Sequence, residues 1–401
     1  MKKLFLAFLA AAILVGCHKD DPEDEVETVA QRTVLIYMAA QNNLTYNGGS
    51  RFAESDLKEI KEGVKTIGDN NLVIYVDKAS DPMYNHNDPN PYMLRYRNGE
   101  LKDSIPMDST SMVCDPATLK AVAKKAFTDF PANDYGLVLW GHATGWLIRT
   151  DTIANYTARN RAYGGTNYND SYSGSGNLWM NIPTLAKVLK TLPHLKFIFA
   201  DCCNMMCVET AYELKDVTDY FIGSAAEIPG KGAPYDLVVP AMMEKETFAN
   251  SICDQYAASS SNRVPLAVVK SSEMPALAAA TKTVLQTMKA ADRLDDNPDL
   301  SNLIYYLDRN LYDMNHFIKT YASEAEYDSW KQVFDQAVIY TKFAKRWDTA
   351  SHVNFYDFAM TESNYGGVSM FIPQWKLQYS DNESIKKLGW YYAAGLATIG
   401  W

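Results

Sequence analysis

The chain has 401 residues, 47% of them hydrophobic and 21% charged, which is ample for a large core and ordinary for a folded protein. A formal net charge of −10 leaves no basic stripe to neutralise phosphates, so nucleic-acid binding is excluded. The 26 tyrosines read as packing rather than as a carbohydrate-binding platform.

The first segment, "MKKLFLAFLAAAILVGC", puts Lys2 and Lys3 before an apolar run too short for a spanning helix. Its end, "LVGC", resembles a bacterial lipobox, which implies a signal peptide over 1–17 and a lipid on Cys17. The acidic stretch "HKDDPEDEVE" that follows has one large apolar residue and reads as part of a flexible tether over 18–31. It also resembles the surface-export signals of some Gram-negative lipoproteins. The expected location is therefore the cell envelope, as an outer-membrane lipoprotein attached to the membrane through its lipid and exposed at the surface.

From residue 32 onward, short apolar runs alternate with helical patterns. "RTVLIYMAA" (32–40) reads as a buried strand, "ESDLKEIKEGVKTI" (54–67) as a helix and "NNLVIYVDKA" (70–79) as a second strand. Asn98-Gly99 marks a hairpin within 92–107. A capped helix with an early proline follows at 115–130, and "YGLVLWGHA" (135–143) is a third buried strand. Residues 149–177 are rich in Asn, Tyr, Gly and Ser and read as a long exposed loop. A helix (183–192), a strand (195–203), a helix (206–216) and strands at 220–227 and 263–272 complete the alternation. After about 290 the pattern is mostly helical, with 353–360 ambiguous and 365–373 a strand. This βα order predicts one α/β domain over 32–401, with a mostly parallel central sheet and helices on both faces. In such sheets the chemistry lies beyond the carboxyl ends of the strands.

The segment "FIFADCCNMMCVE" (197–209) holds three of the six cysteines. With Cys17 lipidated, five remain, so at least one thiol stays outside any disulfide. Adjacent Cys202 and Cys203 would point to opposite faces of a strand, and no second Cys/His pair stands at ligand spacing, so a metal site is not expected. A Cys203–Cys207 disulfide is a second reading. A third makes Cys203 a nucleophile at a strand end, with the following helix N-terminus favouring the thiolate. A cysteine nucleophile needs a base within reach. Of six histidines, His18 is in the tether, His86 in a polar loop, His194 at the wrong end of its strand, and His316 and His352 in the C-terminal region. His142 ends a different buried strand at the same edge as Cys203.

Several segments, in one order, resemble the clostripain-like cysteine peptidases of the caspase-like group. They are "YMAAQNNL" (37–44), "LVLWGHATGW" (137–146), "FADCCNMMCVE" (199–209), "SAAEIPGKGAPY" (224–235), "VVKSSEMPALAAA" (268–280), "YDFA" (356–359) and "YGGVSMFIP" (365–373). The resemblance implies a caspase-like three-layer α/β/α sandwich and a Cys203/His142 dyad acting on a peptide or protein substrate. The backbone N–H groups of Ala143 and Cys203 would hold the oxyanion. Asp201, two residues before the nucleophile and so on the same face of a strand, would select Arg or Lys before the cleaved bond; its other reading is a helix cap.

The sequence departs from the family pattern at Ala143, where the family usually has Gly, and at Gln41, Cys202 and Ala233. These departures leave open a catalytically altered surface-binding relative with 149–177 as its recognition surface. Lys231 in "PGKG" would offset the charge of Asp201 and so suit a caspase-like peptidase of another specificity. The interval between His142 and Cys203 is where some relatives cut themselves, and it carries Arg149, Arg159 and Arg161 as candidate self-cleavage positions. No cofactor is implied, calcium is left open, and a monomer is expected.

Overall fold

The computed structural model describes residues 28–79, 90–108, 112–148, 163–166, 178–260, 263–296, 298–307, 311–344, 346–347, 361, 363–373 and 379–401. Cys17, Arg149, Arg159, Arg161 and the ambiguous segment 353–360 lie outside these residues.

A nine-stranded sheet organises the chain. Its parallel core comprises β1 (Ala30–Ala40), β2 (Asn71–Lys78), β5 (Ala132–Gly141), β8 (Leu195–Asp201) and β9 (Thr218–Ser224). The hairpin β3 (Tyr92–Arg97) and β4 (Glu100–Pro106) adds antiparallel to β2, with Asn98 and Gly99 both at positive φ in its turn. On the other side β10 (Leu266–Lys270) and β13 (Val338–Lys342) add antiparallel to β9. The order is β13-β10-β9-β8-β5-β1-β2-β3-β4.

Successive residues of β1 enter two different cores. Leu35, Tyr37 and Ala39 pack on one face, and Val34, Ile36 and Met38 on the other. Burial on both faces is why β1 reads as an unbroken apolar run. Helices α1 (Phe52–Gly63), α5 (Tyr235–Met242) and α6 (Phe248–Ser259) cover one face. Helices α2 (Pro116–Asp129), α3 (Ile182–Leu189), α4 (Val208–Leu214) and α7 (Met274–Ala290) cover the other. The result is the expected three-layer sandwich.

Several segments differ from expectation. β1 starts at Ala30, inside the segment read as tether, because Ala30 is buried and in register with Ala132 of β5. Within 149–177, Tyr163–Thr166 forms strand β6 and pairs with β7 (Leu178–Met180). The region after 290 contains helices α8 (Met314–Tyr321) and α9 (Glu324–Ala337), but also β13 and a small sheet of β11 (Tyr305–Leu307), β12 (Leu311–Asp313) and β14 (Ser369–Phe371). This small sheet buttresses the segment after Cys203. Ser369 N–H donates to the Met206 carbonyl (3.1 Å), and buried Glu209 accepts from Phe371 N–H (2.8 Å). Strands of three residues supported by such long-range contacts leave little local pattern to read.

No helix among the described residues is long and apolar enough to cross a membrane.

Candidate active site

The strand order reverses between β1 and β5: chain from β1 runs outward to β2, and chain from β5 runs the other way to β8 and β9. Loops leaving such a switch point diverge and open a crevice at the carboxyl edge. The loops after β1, β5, β8 and β9 meet there.

Neighbouring parallel strands β5 and β8 set the spacing. Trp140 is in register with Asp201. His142 and Cys203 each lie two residues beyond this pair, on strands about 4.8 Å apart. Both are half-buried. The loops that carry them touch. Gly145 has φ +70°, and a Cβ there would lie 2.7 Å from the Asn204 carbonyl oxygen and 3.3 Å from Cys207 Sγ. Only glycine allows that approach together with that backbone angle.

Cys203 is not the last residue of its strand. β8 ends at Asp201, and Cys203 stands in the turn that follows, where Asn204 has φ +58°. Nor does it sit at a helix start. α4 begins at Val208 with Cys207 at its N-cap, and is only seven residues long. The expected helix contribution to the thiolate is therefore not provided by this geometry. A different donor is present: Ile228 N–H points at Cys203 Sγ (3.4 Å). The Ile228 carbonyl oxygen lies 3.9 Å from the same sulfur, within reach of its S–H.

The three clustered cysteines face different surroundings, and none forms a disulfide. Cys202 is buried with Sγ 3.5 Å from the Leu139 carbonyl, and Cys207 is buried against the Thr210 hydroxyl (3.1 Å). Burial pushes the Cys207 thiol up to about 12 and the Cys202 thiol well above its usual range, with Glu209 and Asp201 adding to the respective shifts. Both are inert thiols at neutral pH. Among the described residues no three His, Cys, Asp or Glu side chains cluster so as to hold a metal ion.

One residue was not anticipated. Asn43, in the loop after β1, places its Oδ1 2.7 Å from His142 Nε2. With the carbonyl oxygen as the near atom, Nε2 carries the hydrogen and the ring is held in one tautomer. The neighbouring residues hold the loop. Asn42 Nδ2 donates to the Ala39 and Gly165 carbonyls (2.9 and 2.6 Å), and Gln41 accepts from Val113 N–H (3.0 Å). The pair Asn42-Asn43 directly after a buried strand was the available signal.

We expect Asn43→Ala to lower kcat at least ten-fold while KM changes little. That is a fraction of the 10²–10⁴ that positioned acid–base catalysis supplies. Asn43→Asp, which keeps an acceptor, should recover much of the loss. Equal losses in both variants would make Asn43 a packing residue.

Asp201 is 2% exposed and caps no helix. Its Oδ2 accepts from Ala233 N–H (3.2 Å) and from the Tyr235 hydroxyl (2.9 Å). Gly232 has φ +66°, and a Cβ there would come within 2.9 Å of the same oxygen. The "PGKGAPY" segment thus folds onto Asp201 at one end and, through Ile228, meets Cys203 at the other. Burial pushes the Asp201 carboxyl up to about 6, against the lowering effect of its hydrogen bonds. Lys231 turns away to Glu59 (3.5 Å) and is largely exposed, so the structure gives it no ion pair with Asp201.

Strand β6 closes the other side. Ala143 bridges to Tyr163, and Gly164 N–H donates to the His142 carbonyl (3.0 Å). The Trp179 ring stands 6.5 Å from the imidazole, centroid to centroid.

A secreted C11 cysteine protease from Bacteroides thetaiotaomicron, solved with an irreversible peptide inhibitor, is 29% identical at a TM-score of 0.73, covering 92% of this chain and 100% of that one. An inactive zymogen C11 protease from Parabacteroides distasonis is also 29% identical at 0.73, over 92% of this chain and 99% of that one. A cysteine protease from B. fragilis is 34% identical at 0.51, over 56% of this chain and 97% of that one. Among curated protein sequences none matches. The profile of the clostripain family, peptidase C11, matches residues 36–393, which span the sheet and the crevice loops alike, so the chain belongs to the clostripain family and is a cysteine peptidase.

Proposed function

We propose that the protein is an endopeptidase that uses a Cys203/His142 dyad and cleaves after Arg or Lys. The observation that carries this reading is the Trp140–Asp201 register, which sends His142 and Cys203 off adjacent strands at the same height. The Cys203 thiolate attacks the scissile carbonyl carbon, and the carbonyl electron pair moves onto oxygen. The backbone N–H groups of Ala143 and Cys203 hold that oxyanion, a donor of this kind contributing about 3–4 kcal/mol. His142 protonates the amine as the C–N bond breaks, leaving a thioester. Water then attacks the thioester carbon, His142 takes its proton, and the acid leaves as the thiolate is restored. Asp201 supplies the countercharge for the basic side chain. A peptide electrophile carrying Arg should label the protein, and peptide mapping should place the label on Cys203. An unlabelled, folded protein would point instead to a catalytically altered binding protein.

Two further parts of the reading concern processing. Cys17 carries lipid and anchors the peptidase to the outer membrane. The mature chain should then begin at Cys17 and partition with membrane; soluble protein beginning elsewhere would sink this. Self-cleavage follows Arg159 or Arg161, with Arg149 as the earlier candidate in the segment. The support is position: Tyr163 and Gly164 contact the His142 loop, and Arg161 precedes Tyr163 by two residues in the sequence. The Parabacteroides distasonis relative exists as an inactive zymogen. The two pieces would remain associated, because strands on both sides of the cut share one sheet. Intact mass should report two associated chains in the parent protein and one in Cys203→Ala. Single, active chains in both would remove self-cleavage from the mechanism.

A further inference from the structure

We propose that Asp56 is a second recognition carboxylate, which together with Asp201 and the Tyr256 hydroxyl receives the cationic end of the substrate's Arg or Lys side chain. This rests on the basic specificity proposed above and extends it to α1 and α6.

The three groups come from three elements and are all buried: Asp56 on α1 is 0% exposed, Asp201 at the end of β8 2% and Tyr256 on α6 1%. Asp56 Oδ2 accepts from Trp140 Nε1 (2.7 Å). Because Trp140 and Asp201 are register partners, their side chains leave the same face of the sheet side by side. The indole therefore delivers Asp56 to the neighbourhood of Asp201.

Asp56 Oδ1 makes no hydrogen bond, while Tyr256 Oη and Asp201 Oδ1 face each other just short of hydrogen-bond geometry, close enough for the hydroxyl to lower the carboxyl. A buried acceptor left alone costs about 1–3 kcal/mol, more if it is charged, and native proteins keep few of them. A buried carboxyl oxygen with no donor, beside a second carboxyl oxygen served only by a neighbouring hydroxyl, is explained by a ligand that donates several hydrogens. A guanidinium offers five N–H donors in a fixed fork and an ammonium offers three. One such cation between the two carboxyls supplies both oxygens and removes their mutual repulsion.

The electrostatics agree. Burial, and then the charge of Asp201, push Asp56 up to about 9. Without a cation the pair therefore holds a proton at neutral pH. Nearby charged groups are already engaged: Glu59 accepts from Tyr235 N–H (3.1 Å) and pairs with Lys231 (3.5 Å). Tyr256 lies against Asp201 and feels the charge of Cys203 as well, which puts the three groups beside the nucleophile.

The test compares kcat/KM for matched peptides with Arg, Lys or norleucine before the cleaved bond. Asp56→Asn keeps an acceptor for Trp140 while replacing the carboxylate that faces the cation. The Arg-over-norleucine and Lys-over-norleucine ratios should fall by about 10- to 100-fold, the value of one charge-assisted hydrogen bond. Tyr256→Phe should lower them by a smaller factor. These ratios do not depend on the fraction of protein folded, so partial misfolding does not obscure the answer. Unchanged ratios in Asp56→Asn, with collapsed ratios in Asp201→Asn, would reduce Asp56 to a support for Trp140. A parent enzyme with no preference for Arg or Lys would instead overturn the specificity reading, and this inference with it.

Discussion

Cys203→Ala should fold normally and lose cleavage of Arg and Lys peptides by a factor on the order of 10⁵, the scale at which removal of a covalent nucleophile is felt. The side chain is half-buried in a turn, so the substitution leaves no core cavity. The turn itself is held by other bonds: Asn204 N–H donates to Ala226 and Met206 N–H to Ser224 (both 2.9 Å). Labelling by the electrophile should vanish with activity. Cys202→Ala tests the assignment from the next position. Cys202 is buried and its thiol is raised far above neutral pH, so this variant should cost about 1 kcal/mol of stability and leave turnover per folded molecule near the parent value. Loss of labelling in Cys202→Ala, with retention in Cys203→Ala, would move the nucleophile by one residue.

Asp201→Asn should reduce kcat/KM for Arg and Lys peptides by about 10²–10³-fold relative to neutral ones. This is the usual consequence of leaving a buried cation without its partner, a loss of roughly 2–5 kcal/mol. The amide oxygen can still accept from Ala233 N–H and the Tyr235 hydroxyl, so the loop over the site keeps its anchor. The same charge sets a pH dependence. Burial raises the Asp201 carboxyl to about 6, so it is neutral below that pH and charged above it. Preference for basic over neutral peptides should therefore rise as pH increases through about 6 in the parent. A parent-like ratio in Asp201→Asn would place the specificity elsewhere.

The sheet was legible because its strands are buried on both faces. "TVLIYMAA", "GLVLWG" and "KFIFAD" read as strands for the reason that each has helices above and below it. β13 was not legible. Beyond Val338 none of its residues is buried, and it directly follows a fourteen-residue helix, so only its pairing with β10 makes it a strand. The end of β8 was placed two residues late because Cys202 and Cys203 continue the apolar run, whereas the turn begins where the chain must rise out of the sheet.

By itself the sequence determined the order of the central strands and their covering helices and the resemblance to the family, because each is written in contiguous residues. Only the tertiary structure decided what those residues touch. Asn43 meets His142 from 99 positions away, Ile228 meets the Cys203 sulfur from 25, and Asp56 meets Trp140 from 84. Hydrogen bonds and desolvation act over a few ångströms of space. A period of 2 or 3.6 residues records which face of an element is buried and carries no record of which distant loop will cover it.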